Sequence, residues 1–414
     1  MSKTRKALIA CCVCALSAWM MEGSWAADGP NVLMTTPALP FPAVADLKPV
    51  SDPEPLVFMD GRKVTTREDW ETRKKEILDL VQHYIYGFCG PEQLVKGTPP
   101  PEVVKEIGNA YDGLATMREI KVPICPDTND LQGFILLSIA IPSKGEGPFP
   151  TVLGTGRPGE FTEYAIGRGY AVAGFDPHQG GSMYKYYFPI HSGPWVDGKD
   201  PRFHVSKPRD DIGNMGHRPL HGWGERVAWA WRMRRMMDVL VMQKDIDAKR
   251  VIFAGGSRGG ASALMAAAMD ERAAMVWCWQ GLPRIRDHIF RPQWHAPHAQ
   301  EFNGRLDRLP IDLYCAAAAI APRPILFSES RQGKGYTYSA SPFVYEKIAS
   351  AYRFLGADVG MEKDPGPGHE GVYSHGILGM HIRDGGHVGK ETDWKYMLDF
   401  ADAYVQPHPK KVTR

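Results

Sequence analysis

A three-layer α/β fold, with a mostly parallel sheet covered by helices on both faces, is predicted by three features of this chain. Short apolar runs rich in β-branched residues alternate with helical stretches. Turn residues separate them, and no internal repeat is present. Finally, one Gly-rich pentapeptide, Gly255-Gly256-Ser257-Arg258-Gly259, stands between a strand-like run and a helix-forming run.

Taken in order, residues after a leader and through about Pro55 are proline-rich and weakly periodic, which suits an extended lead-in over 27–55. Thr65-Thr66-Arg67-Glu68 then reads as a capped helix start. Trp70, Ile77, Leu80, Val81 and Tyr84 follow at helical intervals, and Gly87 is expected to end the helix. Two strand-like runs, Thr116 to Val122 and Gly133 to Ile141, precede Pro142 and a Gly/Pro turn. The run Thr151-Val152-Leu153, a short helix from Glu160 to Arg168 and a strand from Tyr170 to Phe175 form the next unit. Asp176 to Leu220 is long for a connection, and its wealth of His, Gly, Pro and Tyr marks it as a functional loop or a decorated insertion. Trp223 to Val241 reads as a long amphipathic helix. Arg250 to Ala254 is a buried strand, Ala261 to Met269 an alanine-rich helix, and Pro324 to Ser328 a later strand after Ala316 to Ala319. Gly379 to Ile382 is strand-like, and a helix is expected from about Asp393 to Tyr404. Residues 56–410 are expected to form one catalytic domain.

The 414 residues are 43% hydrophobic, enough to bury a large core. Lysine plus arginine (49) nearly balance aspartate plus glutamate (47), so no global field favours nucleic acid or an anionic membrane. A small or neutral partner is expected instead. Eleven tryptophans, 34 prolines and 43 glycines fit structured loops with aromatic surfaces, suited to stacking on sugar rings, although core packing and turns account for most of them. Lys3, Arg5 and Lys6 precede an apolar segment from Ala7 to Met21, and Ser24-Trp25-Ala26 offers a small-x-small cleavage site. Residues 1–26 are therefore expected to be a signal peptide and the protein to be secreted or periplasmic, with no membrane association after cleavage. Leu8-Ile9-Ala10-Cys11 resembles a lipoprotein box but lies too near the start. Cleavage would leave Cys89, Cys125, Cys278 and Cys315 in an oxidising compartment, where one or two disulfides are expected to be allowed. Their irregular spacing is not that of a zinc site.

The pentapeptide carries the chemistry. A G-x-S-x-G sequence between strand and helix is a nucleophile elbow, in which glycines permit a sharp turn and the helix N-terminus directs amides at a developing oxyanion. Ser257 is thus the candidate nucleophile, and it needs a base to take its proton. In the α/β-hydrolase chain order the base comes last, after the acid. His387, after a strand and before a helix, fits that place. His369, His375 and His381 are rivals, but His381 falls inside the strand, where a packed structural histidine is expected. Glu329, directly after the Ile325-to-Phe327 run, is the candidate acid, with Asp358 and Asp364 as alternatives. Arg258 is placed to stabilise an oxyanion through its amide and guanidinium, or to brace the elbow by pairing with an acidic residue. His288, His295 and His298 lie close together, but no carboxylate or cysteine completes a metal motif there; no metal and no cofactor are expected.

With these residues assembled, the chain resembles the glucuronoyl esterases, α/β hydrolases that cleave esters between 4-O-methyl-glucuronic acid of xylan and lignin alcohols. The resemblance rests on Val64 to Trp70 with Tyr86-Gly87, Trp223-Gly224-Glu225 with Ala228 to Trp231, Ser257-Arg258, Ile320 to Pro324, and Gly385-Gly386-His387 with Asp393-Trp394. It implies that Ser257 is the nucleophile, Arg258 the oxyanion stabiliser and His387 the base. Two departures stand beside the serine. Ala261 occupies a position where many members carry a sugar-contacting lysine, and Gln280 one where some carry the acid. Other bacterial members are similar in taking the acid from the loop after the late strand, which points to Glu329, and Tyr336 is placed to replace a sugar-stacking aromatic.

A secreted serine esterase acting on glucuronate or related carbohydrate esters through an acyl-enzyme, as a monomer, is the expected function. An acetyl esterase of the same fold is favoured by Ala261. A carbohydrate-binding relative with weakened catalysis is suggested by Gln280.

Overall fold

The computed structural model describes residues 41–90, 94, 96–126, 133–179, 224–281, 284–287, 294–333 and 341–405. The leader, residues 27–40 of the lead-in, most of the 176–220 connection, His288 and Tyr336 lie outside them. Helix α1 (Arg67–Val81) starts at a capping box in which Thr66 accepts from the Asp69 amide and Asp69 returns the bond to the Thr66 backbone. Trp70, Ile77, Leu80 and Val81 face the core, as their spacing predicts. The chain continues as a wider helical turn over Gln82–Tyr86.

Strands β1 (Glu102–Ala110), β2 (Ala115–Pro123) and β3 (Phe134–Pro142) pair antiparallel, and β3 also pairs antiparallel with β5 (Ala171–Phe175). From there the sheet is parallel: β5, β4 (Phe149–Thr155), β6 (Ile246–Gly256), β7 (Ala273–Trp279), β8 (Ile325–Ser330) and β12 (Leu378–Arg383). Three two-residue strands, β9 (Gly360–Met361), β10 (Gly371–Val372) and β11 (Ser374–His375), precede β12, and β10 closes the sheet antiparallel. Among the described residues the sheet has ten strands, ordered β1-β2-β3-β5-β4-β6-β7-β8-β12-β10. The strand before Ser257 therefore lies at the centre.

Helices cover both faces because the parallel strands are apolar on both. On one face Phe253, Val276 and Phe327 cluster with Met233, Met236 and Met237 of α3 (Glu225–Leu240) and Ala263, Leu264 and Ala266 of α4 (Arg258–Met269). The short helix α5 (Leu313–Ala318) and α6 (Ser341–Phe354) extend that layer. On the other face Val152, Ile252, Met275 and Leu326 meet Ala165 of α2 (Thr162–Gly167) and Met397, Leu398 and Ala401 of α7 (Glu391–Tyr404).

Three elements escape a periodicity reading for physical reasons. Strand β1 is almost wholly exposed, with Val103, Val104 and Ile107 on the surface, so it shows no buried alternation. Strand β7 is apolar on both faces and follows α4 after three residues, which hides the boundary. Helix α6 opens on Ser341-Pro342, a start signal carried by residue type rather than by periodicity. Among the described residues Cys89, Cys125, Cys278 and Cys315 are buried and not joined in disulfides, Cys278 in β7 and Cys315 in α5. The disulfides allowed by the sequence are thus replaced by four packed cysteines.

Candidate active site

Strand β6 ends at Gly256, α4 begins at Arg258, and Ser257 between them takes φ 53° and ψ −121°. A non-glycine residue enters that region only where the surroundings impose it. The surroundings are visible at two glycines. A Cβ on Gly255 would overlap the Gly259 backbone, and one on Gly256 would overlap the Trp279 indole, so the turn closes only without side chains there. Ser257 is half-buried, and its amide donates to the Trp279 carbonyl over 2.9 Å. The first turn of α4 leaves amides directed toward the serine.

Arg258 does what a bracing residue does. Its Nη1 donates to both carboxylate oxygens of Glu225, at 3.2 and 2.9 Å, and its guanidinium lies over the Trp229 and Trp294 rings at 5.3 and 5.8 Å. Glu225 is buried at the first turn of α3, with His178 Nδ1 3.9 Å from its carboxylate. The guanidinium is thereby fixed beside the elbow with part of its surface still open. Glu225 escaped sequence reasoning as a functional residue, although it stands within the Trp223-Gly224-Glu225 signature. Ala261 is buried in α4, so this position presents no charge to a ligand.

His387 sits on the loop after β12. The residue is exposed at the loop tip, and partial desolvation of its ring, then the positive Arg383, lowers its pKa from the ordinary histidine value. That loop is tied down at several points. Arg383, itself buried, donates to both oxygens of Asp393 at 2.7 and 2.9 Å, to the Asp384 carbonyl at 3.2 Å and to the Val388 carbonyl. Lys390 Nζ also reaches the Asp384 carbonyl at 3.0 Å, and the Gly385 amide donates to Gln332 Oε1 at 2.6 Å. The Val388 amide donates to the Gly386 carbonyl at 2.9 Å, closing a three-residue turn with His387 at its tip. That same carbonyl accepts from Gln280 Nε2 at 2.9 Å and from Ser330 Oγ at 3.2 Å.

The residues nominated as acids are placed differently. Glu329 is buried near the end of β8, and strand alternation sets it on the face of Ile325 and Phe327, where its charge acts on Cys278. Ser330, on the opposite face, is the β8 residue that touches the histidine loop. Asp358 lies 3.4 Å from His375, and Asp364 pairs with Arg331. His369 is exposed, its Nδ1 3.3 Å from the Pro367 carbonyl. His381 is fully buried, 3.3 Å from Glu370 and 3.6 Å from Asp393, and stacks on Tyr396; burial pushes its pKa down to about 4. It packs as the sequence suggests.

His295 stacks on Tyr86 and His298 meets the His83 carbonyl, both as buried packing groups. Among the described residues no set of three His, Cys, Asp or Glu is arranged to hold a metal ion, and no helix is long and apolar enough to cross a membrane. A cavity of about 230 Å³ opens beside the elbow, lined by Trp277, Trp279, Trp394, Phe161 and the Gly154-to-Thr162 loop. Trp279 is its wall toward Gly256, and Gly389 lies against the same indole.

A central parallel sheet with a strand–serine–helix elbow at its middle and a histidine loop after its last parallel strand defines an α/β hydrolase. Within that class the chain is similar to the glucuronoyl esterases, in sequence and in fold. The family model for fungal glucuronyl esterases matches residues 217–280, which hold α3, β6, the elbow and β7. Carbohydrate esterase MZ0003, from an unidentified prokaryote, is 26% identical, with 85% of this chain and 89% of that protein aligned. The 4-O-methyl-glucuronoyl methylesterase of Podospora anserina is 23% identical over 67% of this chain and 54% of its own length. Among solved structures, a glucuronoyl esterase from Solibacter usitatus superposes with a TM-score of 0.69 at 23% identity, over 87% of this chain and 99% of that one. A promiscuous esterase of carbohydrate esterase family 15 from a marine bacterial metagenome gives 0.66 at 24% identity, over 87% and 98%.

Proposed function

We propose that the protein is a serine carboxylic-ester hydrolase acting on esters of glucuronic acid or a related uronic acid in polysaccharide. The observation that carries this reading is the backbone of Ser257, held at a positive φ between β6 and the N-terminus of α4. Ser257 Oγ attacks the ester carbonyl carbon while a ring nitrogen of His387 accepts its proton. The resulting oxyanion is stabilised by the Arg258 amide, by the Arg258 guanidinium and by an amide of the loop after β4. The Gly156 amide is already donated to the Phe175 carbonyl, so Arg157 is the next donor in that loop. Collapse of the intermediate releases the alcohol, which takes the proton from His387 and leaves the uronoyl group on Ser257. Water, deprotonated by the same histidine, then releases the acid.

The third member of the triad is read either as Glu329, buried near the end of β8, or as support of His387 through its peptide. Replacement of Glu329 by Gln distinguishes the two, since a carboxylate that stabilises the imidazolium contributes orders of magnitude to turnover.

Export through the leader at 1–26 and monomeric action belong to the same reading. The purified protein is expected to release acid from benzyl and methyl glucuronate faster than acetate from acetylated xylan. Acetate release alone would assign it instead as a deacetylase, a reading favoured by the buried Ala261.

A further inference from the structure

We propose that Gln280 is a positioning residue that sets the direction of His387 by holding the Gly386 carbonyl, and that the position requires a hydrogen-bond donor. The inference rests on the serine–histidine reading above. The Gly386 carbonyl belongs to the same peptide unit as the His387 amide, so fixing this oxygen fixes the plane from which the histidine departs. It is also the acceptor that closes the turn around His387. A carbonyl only accepts, so the Gln280 nitrogen must face it. Its amide supplies one hydrogen to Gly386 O at 2.9 Å and the other to Ser330 Oγ at 2.8 Å. Ser330 Oγ in turn donates to Gly386 O.

Gln280 is built for this task. It is buried, holds φ 47°, and its own amide donates to the Ser328 carbonyl at 2.7 Å, anchoring it between β7 and β8. The preceding residue, Trp279, accepts from the Ser257 amide. One dipeptide therefore holds the nucleophile with its first residue and the base with its second. An ionised carboxylate at 280 would face the Gly386 carbonyl oxygen across a partly buried contact, where two acceptors repel. Arg383, Asp384, Lys390 and Asp393 are charged groups at this loop, with Arg331 paired to Asp384 and Glu329 adjoining Ser330; the hydrogen bonds that Arg383 and Lys390 donate go to Asp384, Val388 and Asp393 rather than to Gly386.

The test compares wild type with Gln280→Met and Gln280→Glu in hydrolysis of benzyl glucuronate, in fluorophosphonate labelling of Ser257 and in hydrogen exchange of the Val388 amide. Gln280→Met, similar in length but without a donor, is expected to lower kcat by roughly 10²-fold. KM should stay within about twofold, labelling should slow in parallel, and Val388 should lose protection. Gln280→Glu is expected to be impaired at pH 8 and to recover partly toward acid, where the buried carboxyl protonates and donates again. Equal or higher activity of Gln280→Glu at pH 8, or an unchanged kcat in Gln280→Met, would overturn the proposal. Should Gln280→Met fail to fold, Ser330→Ala and Gln280→Glu carry the test; protection at Val388 equal to wild type in both would overturn it. Wild type that neither labels nor hydrolyses would refute the serine esterase reading itself, while Val388 exchange would still report on Gln280.

Discussion

The elbow and the histidine loop are two halves of one site, made by opposite means. The elbow is contiguous in sequence, glycines, serine and the first turn of α4 following one another; a Cβ on Gly255 would meet Gly259 and Gly260 within the turn, while Gly256 and Gly259 are pressed by Trp279 and Thr155 of the adjoining strands. The histidine loop is held from afar by Gln280, Ser330 and Gln332, from the ends of two other strands, and locally by Arg383. Short-range geometry can be carried by a five-residue motif. A loop held by long-range hydrogen bonds is specified only when the sheet has formed.

The largest effect expected from testing this contrast comes from the elbow. Ser257→Ala should lower ester turnover by at least about 10⁴-fold with an unchanged melting temperature, because the residue makes its structural contacts through the backbone. Turnover within tenfold of wild type would move the nucleophile elsewhere. In the loop, Arg383→Met should cost both stability and activity, since it strands the buried Asp393; about 3–5 kcal/mol is expected from denaturant unfolding. A loss of activity without a loss of stability would show that the loop is not braced by this pair.

Smaller effects sharpen the account. Glu225→Gln is expected to loosen Arg258 and lower kcat roughly tenfold with little change in KM, read from steady-state kinetics. In the pH profile of kcat/KM, the acid limb should have its midpoint below 6.5, because partial desolvation and Arg383 lower the His387 pKa. The sign follows from the base being needed neutral: a lowered pKa keeps it neutral further into acid. A midpoint above 6.5 would instead place a carboxylate on the ring.

This contrast also explains what was legible in the sequence. The central strands, α1, α3, α4 and the elbow follow from local pattern, since apolar periodicity and turn residues act over a few positions. Arg258 was readable as either oxyanion stabiliser or brace, and Glu225 supplies the bracing contact. The supports of His387 were not readable. Ser330 is an ordinary serine until β8 lies beside β12, and Arg383 looks like any charged residue at a strand end. Glu329 was nominated because it follows an apolar run; Ser330, one residue further and on the opposite face of the strand, is a contact with the loop that the apolar run does not announce. Gln280 stood out as a departure from a resembled pattern, and its amide is what this loop geometry uses.

The central claim is that Ser257 and His387 act together. Intact mass and peptide mapping after reaction with a fluorophosphonate test it most directly, in wild type and His387→Ala. One adduct, on the peptide containing Ser257, is expected in wild type, with labelling slowed by orders of magnitude in the variant. No adduct on Ser257, or labelling equally fast without the histidine, would contradict the account.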